Sequence, residues 1–435
     1  EDTMKRLAKI TAVFLSAALI FSSLIFSASA EPVAQNDGAI TDEDFLSVKG
    51  KKYVNRKGET VTLCGTNLGG WLIQENWMCP TEAEGADGQY RLLQTLYERF
   101  GRDEAERLID IYEDNWITEY DLDIIKNLGF NCVRVPFWYR NFQYDDNGTW
   151  IRNEQGEIGL SRLDWIVEQC GKRGIYVVLD LHGAVGFQGY NDHCGIPKDG
   201  SMKSAFFGKD EQSVKNRRLT AELWKVIAEH FNSNPVVAMY DLLNEPMCDY
   251  PLLQMDHVKM WNALDELYDA VREKDSEHII TMCVTWQAFC IPNPRLYGWE
   301  NVTYQYHIYV QNKFLYFFGV LGTVILNHGV PTYMGEFKPT KSATWDFVLG
   351  LYNKLGDSWT TWSYKGNWCS DWFIVGYDYD IGNDREHEIN VNVATDSKEE
   401  IERKWGNIST KGNDAFVLQP TAQTQSEYAK QAINK

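Results

Sequence analysis

The hydrophobic positions of this chain fall into short continuous runs separated by longer amphipathic stretches. Pro235-Val236-Val237-Ala238-Met239 leads into Tyr240-Asp241-Leu242-Leu243-Asn244-Glu245-Pro246. A short apolar run bounded by proline has the pattern of a parallel strand buried on both faces, and Pro246 stops it. Similar runs cover 61–67, 131–137, 175–181, 279–284, 302–309, 331–337 and 359–363. Helical patterns lie between them at 163–172, 213–231, 257–273, 314–326 and 344–355, with three more near 90–100, 103–113 and 118–128. Gly129 is placed to cap the last of those three. Counted from Cys64, the pattern predicts eight strands with helices mostly between them. That is an α/β chain of one domain, a closed (β/α)8 barrel. An open doubly wound sheet alternates too, but no GxGxxG follows the first strand. Residues 53–55 and 59–63 flank Arg56-Lys57-Gly58 as a small hairpin. Beyond Gly366 the pattern weakens: 378–396 reads as loop, and 398–405 and 427–433 as closing helices. No repeat, linker or second domain is visible.

The start of the chain departs from this pattern. Met4-Lys5-Arg6 and Lys9 precede a mostly apolar stretch at 10–26, and Ala28-Ser29-Ala30 has the form of a cleavage site. Residues 1–30 read as a signal peptide, 31–50 as a polar segment, and 51–435 as the barrel domain. The expected location is secreted and extracellular. The run at 314–326 is apolar but too short to cross a bilayer, and reads as a buried helix. No membrane contact is expected once the leader is removed.

Charge narrows the partners. A net charge of −19 argues against nucleic acid and anionic membrane surfaces. The 16 Trp supply flat apolar faces with a polar edge, suited both to a large core and to sugar platforms. The nine cysteines form no CxxC, so a structural zinc site is not expected. Cys64, Cys132 and Cys283 fall in strands and read as core thiols. Cys79, Cys194, Cys248, Cys290 and Cys369 fall in loops, where some could pair.

The candidate chemistry sits at one end of the strands. The second run carries Arg134, the third ends in His182, and the fourth ends in Asn244 and Glu245. The sixth gives His307 and Tyr309, the seventh Glu336 and the eighth Trp362. Each residue alone has an ordinary structural reading. Eight of them at the C-terminal ends of six strands mark the face where a barrel enzyme places its site. Two carboxyls there, Glu245 and Glu336, suit paired acid and nucleophile work.

In order and strand position, Arg134, His182, Asn244-Glu245-Pro246, His307-x-Tyr309, Glu336 and Trp362 resemble the motif set of glycoside hydrolase family 5. The resemblance runs from about Gly65 to Ser363. It implies a TIM barrel and retaining hydrolysis of β-glycosides, with Glu245 as acid/base and Glu336 as nucleophile. Arg134 and Tyr309 would hold Glu336 as an anion, and Asn244 would bind the sugar 2-hydroxyl. His182 and His307 would orient hydroxyls and the acid, and Trp362 would form the floor under the ring. Glu245 has no cationic neighbour in sequence and is expected to keep its proton the more easily. Gly335 is expected to let the chain pass close to the sugar.

Gly65-Thr66-Asn67-Leu68-Gly69-Gly70-Trp71-Leu72, Trp116 to Asp121 and Asp180 to Ala184 resemble the exo-β-1,3-glucanase branch. The loops at 76–90 and 185–212 and the tail do not follow a familiar pattern. Trp77, Trp138, Tyr139, Trp286, Phe289, Trp368 and Trp372 divide between platforms and core. The expected function is hydrolysis of an oligo- or polysaccharide, with β-1,3-glucan favoured, by a monomer needing no cofactor and no metal. A cellulase- or mannanase-like enzyme of the same family is the alternative within the class. A non-catalytic carbohydrate-binding barrel is the alternative outside it.

Overall fold

The computed structural model describes residues 38–247, 257–283, 291–310, 312–339 and 344–434. The proposed leader, Cys248, Cys290, Trp286 and Phe289 lie outside these residues.

Eight parallel strands close into a barrel: β1 (Cys64–Asn67), β2 (Cys132–Trp138), β3 (Tyr176–Gly183), β4 (Val237–Asp241), β5 (Ile279–Cys283), β6 (Val302–Ile308), β7 (Thr332–Phe337) and β8 (Ser358–Thr361). They follow chain order, and β8 returns to β1 through Trp359 beside Cys64. Every residue of these strands is buried. Continuous rather than alternating hydrophobicity follows from that, since helices cover the outside and side chains fill the inside. The helices keep apolar stripes toward the barrel, as with Leu163, Ile166, Val167 and Cys170 of Ser161–Lys172. Their starts carry the expected caps: Asp210 accepts from the Ser213 amide and Thr344 from the Phe347 amide. Gly129 follows the helix Glu119–Asn127 with φ +80°, a left-handed position that suits glycine.

The hairpin belongs to a three-stranded antiparallel sheet of Ser47–Lys49, Lys52–Val54 and Thr60–Val61. The strand Ser47–Lys49 thus lies inside the segment read as polar. Leu46, Tyr53, Val61 and Leu63 pack with Cys132, Tyr176, Ala238 and Ile279 at the N-terminal ends of the barrel strands. This sheet plugs that end and leaves the opposite end for the site. The tail adds a second small sheet of Lys365–Gly366, Val375–Tyr377 and Phe416–Leu418, then helices Lys398–Gly406 and Pro420–Ile433.

One expectation is corrected. The helix Lys313–Leu326 is not a buried helix: only Tyr316, Val320 and Thr323 are buried. Phe314 is 75% and Phe318 50% exposed. The sequence is apolar all round, but the barrel covers only one stripe of it. The loop cysteines Cys79, Cys194 and Cys369 are free thiols, as are Cys64, Cys132, Cys170 and Cys283. Cys79 and Cys194 are buried. Among the described residues no helix is long and apolar enough to cross a membrane.

Candidate active site

Arg134 organises the C-terminal end of the barrel. It is fully buried and its planar guanidinium spreads five donors. Nε donates to Asp241 Oδ2 at 2.8 Å. Nη1 donates to Asn67 Oδ1 at 3.0 Å and Glu336 Oε1 at 2.8 Å. Nη2 donates to Asn244 Oδ1 at 2.9 Å and lies 3.0 Å from Asp180 Oδ1. Burial works against its charge, but Asp180, Asp241 and Glu336 outweigh it and raise its pKa above the ordinary arginine value. One cation here faces three carboxyls. Burial accordingly pushes Asp180 up to about 7 and Asp241 up to about 6, against the pull of Arg134.

Glu336 is buried at the end of β7. Arg134 holds Oε1, and the Tyr309 hydroxyl donates to Oε2 at 3.0 Å. Glu245 follows β4 with φ +39°, a left-handed conformation that is costly for a non-glycine residue. His307 Nδ1 lies 2.7 Å from Glu245 Oε1 and 3.4 Å from Glu336 Oε2. The three groups offer donor atoms within 4.8 Å of one another, so the two carboxyls face each other across a short gap. They are the described side chains that could hold a metal ion, and doing so would occupy both carboxyls.

The expectation that Glu245 keeps its proton for want of a cationic neighbour is corrected. Its neighbours come from distant loops and strands. Besides His307, His193 Nδ1 lies 3.6 Å from Oε2. Burial raises the Glu245 carboxyl; the hydrogen bond from His307 and the charges of His193, His307 and His182 outweigh it and bring it down to about 2. For His307, burial is outweighed by Cys283, Glu336 and Glu245, and its pKa lies well above the ordinary imidazole value. These shifts share one proton between the two partners at 2.7 Å.

His182 lies between Asp180 and Asn244. Nδ1 lies 2.6 Å from Asp180 Oδ2 and Nε2 lies 3.2 Å from Asn244 Nδ2. Burial brings it down to about 3, so the ring is neutral. With both nitrogens engaged, it orients Asn244. Trp362 stacks on it with centroids 5.4 Å apart and planes at 9°. Trp77, Trp368 and Trp372 are half-buried beside Trp362, Phe373 and Tyr309 and rim the cleft. Trp138 and Tyr139 are buried core residues.

Several site residues were not singled out from the sequence. Glu75, in the loop after β1, is buried and accepts from Trp77 Nε1 at 2.8 Å. Burial, then the charge of Asp192, raises it to about 8. Gln305 and Gly335 are linked by space: a Cβ on Gly335 would stand 1.6 Å from Gln305 Oε1. The glycine makes room for Gln305, which replaces the expected reason of close approach to the sugar. Asn67 Nδ2 donates to the Gly335 carbonyl at 2.8 Å. The acidic character of Glu75, its loop position and the Glu-x-Trp spacing were the available signals. Nothing in the sequence marked Gln305.

Comparison with known proteins gives the family and the fold. The family model for Cellulase (glycosyl hydrolase family 5) matches residues 101–367. A "Beta-xylosidase" of Phanerodontia chrysosporium is 33% identical over 61% of this chain and 52% of its own length. A "Glucan 1,3-beta-glucosidase" of Candida oleophila is 26% identical over 70% of this chain and 67% of its own. The chain therefore spans about half of the first relative and two thirds of the second. Among solved structures, an endogalactoceramidase superposes with a TM-score of 0.53 at 20% identity, covering 73% of this chain and 74% of the other. A rutinosidase from Aspergillus niger gives 0.50 at 14% identity, covering 70% and 90%. These two share the fold. With 267 consecutive residues under the family model and the strand-end set in place, the chain belongs to glycosyl hydrolase family 5.

Proposed function

We propose that this protein is a retaining β-glycoside hydrolase acting on β-glucan or β-glucosides, with the β-1,3 linkage favoured. The observation that carries the proposal is the spacing of Glu245 and Glu336, whose facing oxygens lie within 4.8 Å. Retaining enzymes hold their two carboxyls about 5 Å apart, whereas inverting ones leave about 6.5–9.5 Å for a water. Glu336, held by Arg134 and Tyr309, attacks the anomeric carbon as the glycosidic bond breaks. Glu245, fed by the proton it shares with His307, protonates the leaving oxygen. The same carboxyl then takes a proton from the water that opens the glycosyl–Glu336 ester. Asn244, fixed between Arg134 and His182, is aimed by them toward the sugar 2-hydroxyl. The reaction needs no metal or organic cofactor. Residues 1–30 support work outside the cell in this reading.

The "glucan 1,3-beta-glucosidase" names of several relatives support the linkage. A second reading, a pentoside substrate, has the "Beta-xylosidase" behind it. Incubation with β-1,3-, β-1,4- and mixed-linkage glucans, mannan and aryl β-glucoside and β-xyloside, with proton NMR of the first product, decides between them. The β-anomer from a β-1,3-glucan is expected. An initial α-product would overturn retention, and release from xyloside alone would transfer the assignment to pentosides.

A further inference from the structure

Beneath the two carboxyls runs a continuous chain of side-chain hydrogen bonds. Arg134 Nε donates to Asp241 Oδ2 at 2.8 Å, and Gln305 Nε2 donates to the same oxygen at 2.6 Å. The other end of that amide, Gln305 Oε1, lies 3.2 Å from His307 Nε2. His307 Nδ1 lies 2.7 Å from Glu245 Oε1. All of these groups except Glu245 are fully buried or nearly so. Glu336 closes the loop through Arg134 Nη1.

The polarity of this chain is decided at Asp241. Arg134 can only donate, so Asp241 Oδ2 accepts. An oxygen already accepting from Arg134 takes the NH2 end of Gln305, and the amide oxygen is left facing His307. That oxygen can only accept, so His307 Nε2 carries a hydrogen. The neutral ring therefore has a bare Nδ1, an acceptor facing Glu245 Oε1. Two acceptors 2.7 Å apart repel, so a proton must lie between them.

We propose that Gln305 and Asp241 are positioning residues that hold the acid's proton in place, by fixing the Nε2–H form of His307. The idea rests on Glu245 being the acid, as proposed above. The pair exists as Glu245–OH with neutral His307, or as the carboxylate with imidazolium. Either form carries one proton available to a leaving oxygen. When the glycosidic bond breaks, its electrons pass to the departing oxygen and that proton follows. The stripped pair, two lone pairs at hydrogen-bond distance, then recovers a proton from the attacking water. The opposite tautomer, with Nδ1–H, would satisfy an ionised Glu245 with no spare proton and leave no acid.

Other charged groups bear on the ring and its partner. Glu336 Oε2 is 3.4 Å from Nδ1, Cys283 Sγ is 3.8 Å from Nε2, and His193 Nδ1 is 3.6 Å from Glu245 Oε2. Tyr309 reaches the same Glu336 oxygen. The thiol is the only rival on the Nε2 side among the described residues, and it is a weak one. Gly335 gives the amide its space, since a Cβ there would overlap Gln305 Oε1.

The test is Gln305→Leu, close in volume, with Gln305→Met as a second variant should the first fail to fold. Acid catalysis contributes about 10²–10⁴-fold, and only where the leaving group needs it. Loss of the amide is expected to lower kcat/KM on an unactivated β-glucoside by on the order of tenfold or more. A dinitrophenyl β-glucoside, which needs no acid, should change much less. The basic limb of the pH profile should move to lower pH. Equal losses on both substrates with an unmoved limb would overturn the role. A second readout needs no activity: 15N NMR of ring-labelled histidine, with His307→Ala for assignment. Wild-type Nε2 of His307 should be protonated across neutral pH, and a bare Nε2 would overturn the proposal. A protein inactive on every glycoside but with Nε2–H would instead refute the function and leave the tautomer standing.

Discussion

Replacing Arg134 tests the centre of the site. Arg134→Met removes the one cation among Asp180, Asp241 and Glu336, all buried. Breaking a buried ion pair from one side costs about 3–5 kcal/mol. Unfolding entropy of ~2.1 cal/mol/K per residue over roughly 400 residues gives ~0.8 kcal/mol/K, so the loss corresponds to about 5 °C in melting temperature. The loss should depend on pH. Without Arg134 the Asp180 and Asp241 carboxyls move to still higher pKa in the folded chain, while their unfolded values stay at about 4. The folded variant then binds protons that the unfolded chain releases, so stability falls as pH rises through that window. The same sign holds in the native protein, where Asp180 and Asp241 sit at about 7 and about 6. Stability from these two is present below about pH 4 and is lost as pH rises through 6 to 7. Arg134→Lys keeps the charge but offers three donors where five are used. It should recover part of the stability and little of the turnover. Thermal melts of both variants at pH 5 and pH 8, with kcat/KM on an activated aryl β-glucoside, make the measurement. A Met variant melting within about 1 °C of wild type at pH 8, or Lys restoring full turnover, would refute the reasoning.

The remaining predictions are more direct. Glu336→Ala and Glu245→Ala should each lose about 10²-fold or more in turnover while staying folded. With azide and an activated substrate, Glu245→Ala should release a β-glycosyl azide and Glu336→Ala the α-azide; the reverse assignment would exchange their roles. Activity should survive EDTA, and a loss restored by added metal would make Glu245, His307 and Glu336 ligands instead. Phe314→Ser and Phe318→Ser should shift stability by no more than about 0.5 kcal/mol, because both rings are largely in solvent. A melt lowered by several degrees would show that the exposed face of Lys313–Leu326 is covered.

The barrel was legible because parallel strands buried on both faces leave mostly apolar runs, as in 132–138 and 176–183, where the polar exceptions Arg134, Asp180 and His182 belong to the site. The strand ends were legible for the same reason: a polar residue closing an apolar run must find a partner or a substrate. Where apolar character carried no directional information, the reading failed. Lys313–Leu326 is hydrophobic on every side, and the barrel's coverage, not its sequence, decides which side is buried. The three-residue strand Ser47–Lys49 is too short and too polar to leave a period.

Ionisation was the least legible property, because it belongs to contacts between residues far apart in the chain. Glu245 looks unpaired in sequence, yet its two histidines lie 52 positions before it and 62 after it. Gly335 looked like a clearance beside the sugar, and the space is taken by an amide from the neighbouring strand. Both errors have one cause. A strand places its neighbour's side chain at atomic distance while sequence distance is about thirty residues, as between Gln305 and Gly335. A glutamine inside a barrel is costly unless its amide is paired at both ends. Here it is paired at both ends, with a carboxyl and an imidazole. Such a residue at the centre of a strand-end set is the one whose orientation fixes the protons of everything above it.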